Sequence, residues 1–242
     1  LVFGKGGTKQ QCGIPHEFGS TGFGVAHATA VAAKLIGIDL KGATVAIHGF
    51  GNVGTFAYQF LAEMGARIVA IADRSGAVYS EAGFERSAID DVIARKRTLV
   101  ESFQSASIGP NDFWRAPVDI LVPASVTDVI NESNKEGIRA KIIVEAGNIP
   151  MRENIENELF EKGVLIVPDF VANAGGVISS YAEYRVYNQK RMFDMVKAKI
   201  IKSAKTVLER SLKRKQNPRQ VALKLAQEKV ENKMKERQTT FS

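Results

Sequence analysis

The chain has 242 residues, 45% hydrophobic and 24% charged, with Cys12 as its single cysteine, which suits one or two globular domains and excludes an internal disulfide or a thiolate metal cluster. No apolar run is long enough to cross a bilayer and no secretory leader is evident, so a cytoplasmic protein with no membrane partner is expected. The net charge is +7, yet from Lys190 onward 16 Lys and Arg face 5 Asp and Glu, so the basic excess belongs to one C-terminal stretch and the rest is mildly acidic.

In chain order, residues 4–24 carry seven glycines, the composition of a loop or linker. Residues 1–19 are expected to be a linker or the remnant of an interdomain segment, and the opening at Leu1 reads as a fragment of a longer chain. A helix is predicted over 22–35. Five runs rich in Val and Ile follow at 44–48, 67–72, 119–122, 141–145 and 164–167, alternating with helical patterns at 52–64, 87–96, 131–136 and 152–161. Near-continuous apolar runs suit strands covered on both faces, which predicts a doubly wound, mostly parallel Rossmann-type α/β sheet over 20–189. Gly65 and Gly163 stand where helix C-caps are expected, and 77–79 reads as a brief strand. After Pro168 the pattern is helical, at 174–187, 191–212 and 218–235. Residues 190–242 are expected to be basic helices packing on the domain, with apolar stripes through Val196, Ile200 and Ala204 and through Leu223, Val230 and Met234.

The strongest local signal is Gly49-Phe50-Gly51-Asn52-Val53-Gly54, which follows the 44–48 strand and opens a helix. Its glycines permit a tight turn, close approach of backbone to a pyrophosphate and close helix–strand packing, while the helix N-terminus offers free N–H groups to the phosphates. Asp73, 19 residues after Gly54, fits the acid that accepts hydrogen bonds from the adenosine ribose and favours NAD. Arg74 beside it suits the 2′-phosphate of NADP as well as it suits solvent, so NAD or NADP remains open. Further turns close other strands, at Val122-Pro123-Ala124-Ser125, at Glu145-Ala146-Gly147-Asn148 and from Asp169 to Val177. Asn148 and Asn173 can offer both donor and acceptor to a carboxamide or to ribose hydroxyls; as lone residues, asparagines are more often turn or cap residues.

Taken together, Ser20-Thr21-Gly22-Phe23-Gly24-Val25, Gly37-Ile38-Asp39-Leu40-Lys41-Gly42, Gly49 to Gly54, Asp119 to Ala124 and Val167-Pro168-Asp169 through Val177 resemble the coenzyme domain of glutamate dehydrogenase, in the glutamate/leucine/phenylalanine/valine dehydrogenase group. The resemblance implies that Thr21 sits near the nicotinamide, Gly49 to Gly54 hold the pyrophosphate, Asp73 binds the ribose, Ala124 and Ser125 line the crevice, and Asn148 and Asn173 contact the nicotinamide end. Val177 and Ser180 match positions that touch the amino-acid side chain in glutamate-specific members. The family often reads Glu-Gly-Ala-Asn where this chain has Glu145-Ala146-Gly147-Asn148, and residues 10–18 depart from its usual linker. The resemblance further implies a hexameric parent enzyme that reversibly deaminates glutamate to 2-oxoglutarate and ammonia. Its substrate-activating lysines and proton-handling acid lie in a preceding domain, so these 242 residues are expected to bind NAD(P) without turning over glutamate alone, and no catalytic residue is assigned.

A leucine- or phenylalanine-type relative is the nearest alternative, and a non-catalytic dinucleotide module whose basic helices bind nucleic acid is a more distant one. His16, His27 and His48 have no metal-ligand spacing, so no metal is expected. Tyr181, Tyr184 and Tyr187 share one helical face and read as packing rather than a base-stacking platform.

Overall fold

The computed structural model describes residues 19–240, so the expected linker over 1–19, with Cys12 and His16, lies outside the described residues except for Gly19, which caps the first helix. The chain enters through α1 (Ser20–Leu35), runs along β1 (Thr44–His48), returns on α2 (Asn52–Glu63) and lays β2 (Arg67–Asp73) parallel to β1. A two-residue turn at Arg74 and Ser75 reverses it into β3 (Gly76–Tyr79), antiparallel to β2. After α3 (Arg86–Arg95) and the single turn α4 (Leu99–Ser102), a short β4 (Ser107–Ile108) extends that edge. α5 (Pro110–Arg115) then leads to β5 (Ile120–Pro123), which pairs in parallel with the other side of β1. β6 (Ile142–Val144), α6 (Glu153–Glu161) and β7 (Leu165–Val167) complete a sheet ordered β4-β3-β2-β1-β5-β6-β7. Four helices follow: α7 (Asp169–Ala172), α8 (Gly175–Tyr184), α9 (Gln189–Arg214) and α10 (Pro218–Thr240).

The period-two alternation of each strand feeds two cores. Ile47, Ile71, Val122, Val144 and Val167 face α1, α2 and α9, whose Val25, Ala28, Leu61, Val196 and Ile200 fill that side. Ala46, Ala70, Leu121, Ile143 and Ile166 face the other way, onto Phe113, Trp114, Met151, Ile155 and Leu159. With apolar side chains buried on both faces, the central strands have the continuous hydrophobic character of a covered parallel sheet.

Three expectations change. Residues 131–136 do not form a helix; a 3-10 turn covers Lys135–Gly137. Asn131 Oδ1 accepts from the Ser133 amide at 3.0 Å and Asn134 Oδ1 accepts from the Asn131 amide at 2.9 Å, so side chains close this segment as turns, and the Asn134 and Lys135 amides both return to the Asn131 carbonyl instead of starting a continuing helical ladder. The stripe on α10 is not covered among the described residues. Val221 and Ala222 in its first turns are buried, whereas Leu223, Val230 and Met234 are more than half exposed. The tyrosines also divide: Tyr181 and Tyr184 are exposed, and Tyr187 alone packs on the core, with the Arg191 guanidinium 3.7 Å above its ring. α5 was not anticipated, although Pro110 at its first position and Asp112 in its first turn mark a helix start.

Candidate functional site

The sheet reverses its direction of growth between β1 and β5, and the crevice beyond the carboxyl ends of those strands is where open α/β sheets bind ligands. The glycine turn sits there. Gly49 has φ 98°, and a Cβ on it would lie 2.6 Å from the Ser125 Cβ, so only glycine fits between the ends of β1 and β5. Its amide donates to the Ala72 carbonyl at 2.8 Å, and the Ala124 amide donates to the His48 carbonyl at 2.7 Å. A Cβ on Gly54 would overlap the Gly49 carbonyl oxygen, which presses α2 directly onto the turn.

Gly51 differs. Its φ of −85° is open to any residue, and a Cβ there would meet nothing within 4 Å. It caps α2 without a side-chain cap, and the first intrahelical bond runs from the Thr55 amide to the Gly51 carbonyl at 2.9 Å. The amides of Asn52, Val53 and Gly54 therefore have no helical acceptor and face the crevice at the positive end of the helix. No acidic residue occupies that first turn. An open cradle of unpaired N–H groups fits the pyrophosphate of a dinucleotide.

Asp73 ends β2, as the spacing implied. Its Oδ1 accepts from the Ser75 amide at 2.7 Å and from the Ser75 hydroxyl at 2.5 Å, and its Oδ2 accepts from the Leu99 amide at 3.2 Å. Arg74 is exposed at the tip of the turn. On the other side of the crevice, Ala124 packs partly on the core and Ser125 lies under Gly49. The structure adds His48, which sequence reasoning set aside as lacking ligand spacing. Its ring stacks on Trp114 at 4.7 Å and its Nδ1 is 2.8 Å from the Ser125 hydroxyl. Burial pulls its pKa down to about 4, so the ring is neutral near pH 7. Its position immediately before Gly49 was the available signal.

Asn148 and Asn173 are brought together, the Asn173 amide donating to Asn148 Oδ1 at 3.0 Å. Thr21 lies in the first turn of α1, against the start of α8, where a Cβ on Gly176 would come within 3.0 Å of its hydroxyl. Val177 and Ser180 sit on α8 and are exposed, with the Ser180 hydroxyl donating to the Gly176 carbonyl at 3.2 Å. Beneath the asparagine pair lies a buried ionic cluster that sequence reasoning missed. Arg219 donates to Glu145 at 2.6 Å, to Glu156 at 2.5 Å and to Asp169 at 3.1 Å. Both glutamate side chains are fully buried, and their Oε1 atoms have no hydrogen-bond partner. Burial, reinforced by the charge of Glu156, pushes the Glu145 carboxyl up to about 8. Among the described residues no group of three or more His, Cys, Asp and Glu is placed to hold a metal ion, and no helix is long and apolar enough to cross a membrane.

This sheet order and turn define a Rossmann-type α/β domain. More narrowly, the chain belongs to the Glutamate/Leucine/Phenylalanine/Valine dehydrogenase family, which it matches over residues 12–238. It is 39% identical over 234 residues to the glutamate dehydrogenase of Aeropyrum pernix, a match covering 92% of this chain and 56% of that protein. It is 42% identical over 177 residues to the NADP(+)-dependent glutamate dehydrogenase of Pyrobaculum calidifontis, covering 71% and 42%. The crystal structure of glutamate dehydrogenase from Peptoniphilus asaccharolyticus superposes with a TM-score of 0.74 at 29% identity, covering 90% of this chain and 53% of that one. The chain thus spans about half the length of the relatives it matches.

Proposed function

We propose that this chain is the coenzyme-binding part of an NAD(P)-dependent glutamate dehydrogenase. The observation that carries the reading is Gly51. Neither its backbone angle nor its packing requires glycine, but a dinucleotide approaching the amides of Asn52, Val53 and Gly54 does. The pyrophosphate rests on that turn, and Asp73 meets the adenosine ribose, with Arg74 beside it for a 2′-phosphate. Ala124 and Ser125 line the crevice, and Thr21, Asn148 and Asn173 orient the carboxamide end. Val177 and Ser180, exposed on α8, face the amino-acid side chain.

When bound, the nicotinamide supplies the two-electron acceptor for oxidising glutamate to an imine that water converts to 2-oxoglutarate and ammonia. The residues of this chain hold the dinucleotide and fix which face of it is presented; the groups that activate the amino acid belong to the remainder of an enzyme about twice this length, assembled as a homo-oligomer in the cytoplasm. The activity named for the relatives and the family match support the substrate class.

Titrating the 242-residue chain with NADH and NADPH, followed by nicotinamide fluorescence, tests the binding reading. Saturable binding of at least one is expected, and no binding of either overturns it. At the level of the whole enzyme, NAD(P) reduction driven by glutamate is expected; a preference for leucine or phenylalanine overturns the substrate assignment.

A further inference from the structure

We propose that Arg219 is a positioning residue for the nicotinamide end of the crevice, an inference that rests on the dinucleotide-binding function above. Arg219 belongs to the first turn of α10, far along the chain from the loops it touches. Its guanidinium reaches three elements at once: the end of β6 through Glu145, α6 through Glu156, and the start of α7 through Asp169. Asn217, just before it, is itself tied down, donating to Asn157 at 2.7 Å and accepting from the Arg219 amide at 2.8 Å.

Asp169 passes this anchoring to both asparagines. Its Oδ2 accepts from the Ile149 amide at 3.0 Å, its own amide donates to Glu145 at 2.8 Å, and its carbonyl accepts from the Asn173 amide at 2.7 Å. Ile149 is held in the left-handed region at φ 47°, a conformation that persists in a non-glycine residue when its surroundings over-determine it. The Ile149 amide bond to Asp169 is one such restraint, and it fixes the residue next to Asn148. The pair of side-chain amides in the crevice is therefore aimed by a guanidinium one layer beneath it.

Stability alone does not account for this arrangement. A buried ionic cluster gains little over well-packed apolar side chains of the same volume, because its charges must first leave water. Three carboxyl groups shared by one planar fork fix directions as well as distances, which a loop carrying recognition groups requires.

The test compares NADH with ADP-ribose, which shares every group except the nicotinamide, on the full chain. Two variants are used: Arg219→Lys, which keeps the charge but loses the fork, and Asp169→Asn, which keeps shape and weakens the link. Each is expected to weaken NADH binding about tenfold, the worth of one well-aligned hydrogen bond from an asparagine amide to the nicotinamide end, and to leave ADP-ribose within about twofold. Parallel loss of both ligands, or unchanged NADH binding in both variants, overturns the proposal. Equal affinity of the parent chain for NADH and ADP-ribose also overturns it, since the asparagines then grip no nicotinamide. If the parent chain binds neither ligand, it is the dinucleotide-binding reading that fails. Should Arg219→Lys not fold, Asp169→Asn decides the outcome.

Discussion

The Nδ1 of His48 and the hydroxyl of Ser125 are 2.8 Å apart, a bond that joins the end of β1 to the loop after β5 at the floor of the crevice. The imidazole is roofed by Trp114 and edged by Phe113. Protonation in this setting is opposed by burial, which holds the pKa near 4 against 6.5 in the unfolded chain. Between those values the unfolded state binds more protons, so this contribution to stability is present above about pH 6.5 and lost as pH falls toward 4. His27, also lowered to about 4, adds a slope of the same sign. The urea midpoint of His48→Gln is expected to fall less steeply than that of the parent chain between about pH 6.5 and 4.5; an identical slope refutes the assignment.

Gly51 and Gly54 separate ligand binding from folding. A Cβ at Gly54 collides with the Gly49 carbonyl, so Gly54→Ala is expected to cost about 1–3 kcal/mol of stability and to abolish dinucleotide binding. A Cβ at Gly51 enters open space, so Gly51→Ala is expected to stay within about 1 kcal/mol of the parent while weakening binding at least tenfold, roughly 1.4 kcal/mol. Thermal melts beside NADH titrations check both. Retained affinity in Gly51→Ala removes the main support for a pyrophosphate site.

The glycine turn was legible because all its signals are local: an apolar strand, a fixed glycine spacing and a helical pattern, consecutive in the chain. The Arg219 cluster was not, because its members lie up to 74 positions apart and Arg219 reads in the sequence as one more cation in a basic tail. The error at 131–136 has the same origin at short range. Asparagine side chains close local turns there, and hydrophobic periodicity carries no information about that bonding. On α10 the periodicity was real but the cover was assumed, since a stripe shows that a face suits burial without showing what buries it.

Cofactor preference turns on the Arg74–Ser75 corner. Asp73 accepts three internal hydrogen bonds, yet a carboxylate has about four acceptor positions, which leaves capacity for a ribose hydroxyl. Arg74→Ala is expected to weaken NADPH about tenfold and leave NADH unchanged. Asp73→Asn, by removing a negative charge next to the 2′ position, is expected to move the NADPH-to-NADH affinity ratio toward NADPH by a similar factor. Paired titrations read both ratios, and an Arg74→Ala variant with equal losses for the two nucleotides places the 2′-phosphate elsewhere.

The carboxyl of Glu145 gives the opposite pH signature to His48. It faces Glu156, Asp169 and Arg219, and one guanidinium cannot neutralise three buried carboxylates, so the folded state retains a proton that the unfolded chain releases. With the folded pKa raised from 4.5 to about 8, the native state binds more protons between those values. The stabilisation is complete below about pH 4.5 and lost as pH rises through 8. Glu156, raised by burial as well, contributes in the same direction. Glu145→Gln mimics the protonated acid and is expected to flatten the fall in urea midpoint between about pH 7.5 and 8.5, above the value of 6.5 at which His27 and His48 titrate in the unfolded chain. A variant as pH-sensitive as the parent chain over that range would show that the proton resides on another group, because the Glu145→Gln substitution leaves an amide with no ionisation to lose.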